Sequence, residues 1–115
     1  MRKVAQTALK RVRAITSKLE VEERTSHGAP AFFLNKKQFL HFWDNHHGDD
    51  RVAIWVRADR EARDAWLQLD PERFFLPPYV AHLGWVGIRL DGRPPWKQIE
   101  AIIREGASLA KGQRR

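Results

Sequence analysis

The stretch Arg51-Val52-Ala53-Ile54-Trp55-Val56-Arg57 decides how this chain is read. Val52, Ile54 and Val56 alternate with Arg51, Ala53, Trp55 and Arg57, the two-residue period of a strand that turns one face to a core. Trp85 to Leu90 repeats the pattern, with Val86, Ile88 and Leu90 on one side and Trp85, Gly87 and Arg89 on the other. A sheet of such strands needs an apolar layer to pack against. The two ends of the chain supply it. Val4, Ala8, Val12, Ile15 and Leu19 recur at steps of three or four, the stripe of a helix over residues 1–18. Trp96, Ile99, Ile102, Ile103 and Gly106 form a second stripe, after an Asp91-Gly92 turn and Pro94-Pro95. Both helices are single-faced, so both belong on the same side. The expected architecture is α+β: a two-layer sandwich, an antiparallel sheet with N- and C-terminal helices packed on one face.

The intervening sequence fills in the sheet. Val21 to Ser26 reads as a strand, punctuated by Gly28-Ala29-Pro30. Ala31 to Leu34 and Gln38 to Trp43 are aromatic-rich strands joined by a hairpin turn, Asn35-Lys36-Lys37. Asn45 to Asp50 turns the chain again. Asp59 is a good N-cap for a short helix whose apolar face is Ala62, Ala65, Trp66 and Leu69. Asp70-Pro71 suggests a brief helical turn. Phe74 to Tyr79 reads as irregular chain held down by its aromatics. One domain over 1–110 is expected, with 111–115 a basic tail.

Composition bounds the partners. The chain has 115 residues, 43% of them hydrophobic, enough for one domain and too few for two. Such a domain buries roughly two thirds of its unfolded surface and needs no staple. No Cys is present, which excludes disulfides, thiolate zinc sites and Cys nucleophiles. A reducing, cytoplasmic setting is expected. No run approaches the roughly 18 apolar residues of a membrane span, and no apolar signal core follows Arg2 and Lys3. Lys and Arg number 21 against 14 Asp and Glu, a net charge of +7. That favours anionic partners. Arg2, Lys3, Lys10, Arg11, Arg13 and Lys18 fall within residues 1–18, which hold no acid. Helical phase places them opposite the apolar stripe.

His27-Gly28-Ala29-Pro30-Ala31-Phe32 resembles the hGxPaF element of the MmcQ/YjbR family. Lys36 or Lys37 with Phe39 resembles the Lys-x-Phe segment that follows it. Pro77-Pro78-Tyr79 and Gly84-Trp85-Val86 resemble the family's Pro-x-Tyr and Trp-Val elements. Trp96 with Ile99, Ile102 and Ile103 resembles its terminal helix. The motifs are short, but their order and spacing cover most of the chain. Asn35 stands where a Gly is frequent, and Ala107-Ser108-Leu109 where a Ser-Tyr pair is common. The resemblance implies a frataxin-like (CyaY-like) fold. It also implies the family's DNA-binding label, which carries no defined reaction or sequence target.

Four constellations bear on chemistry. The basic first helix can contact phosphates through Lys3, Lys10, Arg11, Arg13 and Lys18. Trp55 with Arg51 and Arg57, and Trp85 with Arg89, fall on the sheet face away from the helices, where rings beside guanidinium groups suit base stacking. The alternative is a minor core, with residues 59–69 and Phe74 to Tyr79 covering that face. His41, Asp44, His46, His47, Asp49 and Asp50 crowd one hairpin. Their spacing matches no metal motif, and His46 and His47 would point apart on a strand. Iron binding in frataxin relatives is attributed to an acidic first helix, and this one has no acid. Ser17, Ser26, Ser108, His27 and His82 lack the surroundings of a catalytic group. The expectation is therefore a non-enzymatic nucleic-acid-binding protein of low sequence specificity, without cofactor, metal or membrane partner, and monomeric. The expected partner is DNA, with single-stranded DNA or RNA included. Arg51, Trp55 and Arg57 add a second contact zone. The alternatives are a module that binds an acidic protein, or a small-molecule binder with an aromatic pocket around Phe32, Tyr79 and Trp85.

Overall fold

Val52, Ile54 and Val56 do turn one way, and the rest of the molecule is arranged around that choice. The structure, a computed structural model, describes residues 1–112; residues 113–115 of the basic tail lie outside the described residues. The elements run α1 (Lys3–Thr16), β1 (Glu22–Ser26), β2 (Ala29–Leu34), β3 (Lys37–Asp44), β4 (Val52–Val56), α2 (Arg60–Leu69), β5 (Phe74–Phe75), β6 (Val86–Arg89) and α3 (Trp96–Lys111). The strands form one sheet in the order β1-β2-β3-β4-β6-β5, antiparallel throughout. α1 and α3 pack on it. The result is the expected α+β arrangement.

Register shows how the faces divide. Ile54 lies opposite Phe42 on β3 and Ile88 on β6, and all three are fully buried beneath the helices. Trp55 lies opposite His41 and Gly87. His41, Trp43, Trp55 and Phe75 therefore line the other face. The β2–β3 turn has two residues, Asn35 and Lys36, both at positive φ (52° and 65°), so Lys37 already belongs to β3. That is the twist-compatible hairpin turn. β1 is an edge strand of charged and polar residues, which blunts its open backbone.

α3 sits close to the sheet because Gly106 has no side chain. A Cβ there would lie 2.8 Å from Val56 Cγ2 and 2.9 Å from the Arg57 carbonyl oxygen. The helix ends at Gly112, left-handed at φ 80°, as helix C-termini often do. Lys111 is thus helical rather than part of the tail.

Three elements differ from the periodic reading. α1 buries Ala5, Ala8, Leu9, Val12, Ile15 and Thr16, and Val4 is exposed. At 100° per residue its inward face is turned about 40° from the stripe centred on Val4, Ala8 and Val12. Arg2 ties the start of the helix to the end of β3 and the loop after it. Its backbone N–H and Nε bond to the Asp44 carboxylate at 3.0 and 2.6 Å, and its Nη1 reaches Asp50 at 2.7 Å. α2 starts at Asp59 as expected, with the carboxylate accepting from Ala62 N–H at 3.1 Å. Its inward residues, however, are Arg63, Trp66 and Leu67, while Ala65 and Leu69 face solvent. Arg63 is tolerated inside because its guanidinium donates to the carbonyl of Ala81 (2.8 Å) and pairs with Asp64. Phe74–Phe75 is not irregular; it forms β5, pairing with Ile88 and Gly87 of β6.

Candidate functional site

Two surfaces carry the residues singled out by sequence, and they lie on opposite layers. The first is the outer side of α1. Helical phase sets Lys3 and Lys10 within about 20° of each other, directly opposite the buried stripe and roughly 10 Å apart along the axis. Both are exposed, and neither has an ion-pair partner among the described residues. Lys18 is likewise exposed and unpaired, but it lies in the turn beyond α1. Arg11 lies on the flank and stacks its guanidinium over Trp96, 4.9 Å from the ring centroid, so its charge stays unneutralised.

Arg13 and Arg2 are different. Arg13 sits on the other flank and makes a bidentate pair with Glu23 (2.9 and 2.6 Å), which raises its pKa. Arg2 precedes the helix and is held by Asp44 and Asp50. Burial pushes the Asp44 carboxyl up, and the Arg2 bonds and charge outweigh it to hold the pKa below the usual range. So the expectation that all six basic groups stand free opposite the stripe is corrected. Four are available, and two are internally neutralised.

The second surface is the open face of the sheet. Trp55 faces away from the helices as the alternation required, but only 4% of it is exposed. Trp43 lies 5.0 Å from it between centroids, and the His46 ring 4.8 Å from it. Trp55 is therefore the floor of a cluster and offers no free platform. Arg51 stacks on Phe75 at 4.1 Å. Arg57 donates from Nε to the Gln38 carbonyl at 2.8 Å and lies over Trp85. These guanidinium groups are held by the sheet. The helix α2 does not cover this face; its Trp66 stacks on Phe74, part of the helix-side core. What borders the face instead is the loop after β3 and the chain around Tyr79.

A groove of about 1120 Å³ results, lined by His41, Trp43, His46, Trp55, Tyr79 and Trp85 among others. The aromatic-pocket reading is thus half corrected. Tyr79 and Trp85 are in it, but Phe32 is 1% exposed in the core under the helices, opposite Leu40 on the helix-side face of the sheet. The residues missed were Trp43, His46 and Pro30. Alternation of His41 and Trp43 against Leu40 and Phe42 could have placed the first of these beside Trp55. His46 could not have been placed, because the loop is not a strand. His46–Gly48 is a 3-10 turn with Asn45 and His47 left-handed, so the His46 and His47 rings meet at 4.2 Å rather than pointing apart. Among the described residues no group of three or more His, Asp or Glu side chains could hold a metal ion.

Both inner histidines are pushed toward neutrality. Burial lowers the pKa of His41, helped by the charges of His27 and His46, and a 2.9 Å bond to the Ser26 carbonyl opposes it. A carbonyl only accepts, so Nε2 carries the His41 proton. Burial, then His47, lowers His46, with Asp49 opposing. The indole N–H groups of Trp43 and Trp85 are buried without a hydrogen-bond partner.

The YjbR family model matches residues 16–106. The chain belongs to the YjbR family. No curated protein matches the sequence. A solved structure, the Deinococcus radiodurans protein DR2400 with a DUF419 domain, is similar over 90% of this chain and 78% of its own, at a TM-score of 0.75 and 15% identity. That likeness concerns the fold alone. The YjbR match begins at Thr16, so the rest of α1 and its lysines lie outside it. Trp55, Trp85 and the groove lie inside, except for Met1. No helix is long and apolar enough to cross a membrane, among the described residues.

Proposed function

We propose that this YjbR chain is a non-enzymatic, cytoplasmic nucleic-acid-binding protein of low sequence specificity, contacting phosphates with Lys3, Lys10, Arg11 and Lys18. The observation that carries this is the unpaired Lys3–Lys10 line on the outer side of α1, in a chain of net charge +7. These cations have no acid to neutralise them, and a row of this kind displaces counterions from a phosphate backbone. Nothing in α1 reads bases, which suits low specificity. Arg13, Arg51, Trp55 and Arg57 do not join the contact set, since each is committed within the fold.

The test is fluorescence anisotropy of labelled duplex and single-stranded oligonucleotides against wild type and a Lys3→Glu, Lys10→Glu, Lys18→Glu variant. All three sites are exposed, so the fold should persist. Wild type should bind at low salt and the variant should not. Equal binding by both would remove α1 from the site. No binding by wild type, with capture of an acidic polypeptide on the same lysines, would favour a protein-interaction module instead.

A further inference from the structure

The groove on the open sheet face is chemically unlike α1, and the α1 reading does not explain it. We propose that it is a binding site for an uncharged, planar nitrogen heteroaromatic ring of the nucleobase class, held by stacking and by indole hydrogen bonds. This inference is independent of the α1 phosphate surface, which lies on the other layer.

The ligand class follows from what lines the groove. No Lys or Arg lines it, and its one carboxylate, Asp44, is bound to Arg2. Met1 also lines it, and its α-ammonium acts on the Asp44 carboxylate, so an anion would find no side-chain cation and only a terminal charge already facing an acid. The ring faces open to a ligand are those of half-buried Trp43, which lies over the Trp55 floor at 5.0 Å and a 42° tilt, and of Tyr79, 73% exposed at the rim. Such faces take planar rings of any edge pattern. A quaternary ammonium would also suit ring faces. However, the indole N–H groups of Trp43 and Trp85 have no acceptor, and a cation cannot supply one. A ring nitrogen or an exocyclic carbonyl can. A plain hydrocarbon ring would leave both donors unpaired.

The cluster already accommodates a ring of this kind. His46, a planar nitrogen heterocycle, packs edge-on at 4.4 Å from Trp43 and 4.8 Å from Trp55, with Tyr79 at 6.3 Å. It is carried on a loop where Asn45, His47 and Asp50 all take left-handed backbone, and Tyr79 is left-handed too. Trp43 and Trp85 both line this groove, and the proposal requires that an external ring take the place of His46 against Trp43 to meet its indole N–H. The groove volume, about 1120 Å³, accepts a nucleoside without rearranging the sheet; small-ligand sites span roughly 300–1,000 Å³.

The five Trp indole N–H resonances of 15N-labelled protein report this directly. Trp43, Trp55 and Trp85 line the groove, whereas Trp66 and Trp96 pack on the helix side. The probes are adenosine and thymidine, which carry no phosphate, and single-stranded oligothymidylate. Saturable shifts of the Trp43 and Trp85 indole signals by a nucleoside, with Trp66 and Trp96 unmoved, are expected. Trp43→Phe keeps a ring and loses the donor, and should weaken binding about fivefold, the worth of one neutral hydrogen bond. Tyr79→Ala, at an exposed rim, should weaken it without unfolding the chain. If oligothymidylate gives the same shifts, the base comes from a strand; if only nucleosides do, the ligand is free. No shift at about 10 mM nucleoside, well above a millimolar dissociation constant, overturns the proposal. So do shifts spread equally over all five indoles, or shifts by the oligonucleotide alone.

Discussion

Glu23→Gln should strengthen nucleic-acid binding, although it lies outside the lysine row. The free charge of residues 1–18 can be counted. Of the six basic residues in positions 1–18, Arg2 is bound by two carboxylates and Arg13 by Glu23. Four remain, and at about 0.9 counterion per neutralised phosphate they give a slope of log K against log salt near −3.6 on duplex DNA; six would give about −5.4. Between 50 and 200 mM salt the smaller slope costs roughly 150-fold in affinity. Glu23→Gln releases Arg13, on the flank of the same helix, so the slope should steepen by about 0.9 and affinity at low salt should rise. The companion change Arg13→Ala leaves four contacting cations, so the slope should alter little, while the freed Glu23 carboxylate lowers affinity at low salt. Anisotropy titrations at four or more salt concentrations measure all three proteins. A slope unchanged in Glu23→Gln, or a slope shallower by about 0.9 in Arg13→Ala, would refute the count.

Gly106→Ala gains about 1 kcal/mol of helix propensity but drives a methyl against Val56 and the Arg57 carbonyl, and overpacking of this kind costs typically 1–3 kcal/mol. The backbone oxygen cannot step aside, so urea denaturation should show a net loss of stability. Asp59→Ala removes the α2 cap and should cost about 1 kcal/mol, read as a drop of several degrees in Tm. Stability should fall with acid below the ordinary His pKa of 6.5, because the unfolded chain then takes up protons that buried His41, and to a lesser degree His46, resist. The loss runs from 6.5 down to the lowered folded-state values and is absent above it. Thermal melts between pH 8 and pH 5 check this, and His41→Gln should flatten the trend.

The sheet was legible because its period is strict. Val52, Ile54, Val56, Val86 and Ile88 lie where alternation put them, and Asp59 caps α2 as its side chain requires. What escaped was set by distant partners. The inward face of α1 is Ala5, Ala8, Leu9, Val12, Ile15 and Thr16, a three-and-four spacing that competes in the sequence with the stripe through Val4, and burial of Leu9 in the core decides between them. Arg63 looked like a surface residue until the Ala81 and Trp85 carbonyls came to meet it. β5 has two residues, too few to show any period, and exists because β6 offers an open edge. The groove includes a loop with left-handed residues at positions 45 and 47, which carries His46 against Trp43 and Trp55, and left-handed Tyr79, whose ring meets His46. The charge of residues 1–18 was legible as a total. Its division into free and neutralised cations required the fold.

The most direct test of the central claim is an amide chemical-shift map of the 15N-labelled protein titrated with duplex DNA at low salt. Shifts should concentrate on the outer side of α1 and the turn that follows, at Lys3, Lys10, Arg11 and Lys18, and fade as salt is raised. A map that leaves α1 unmoved while other surfaces respond, or no response at all, would contradict it.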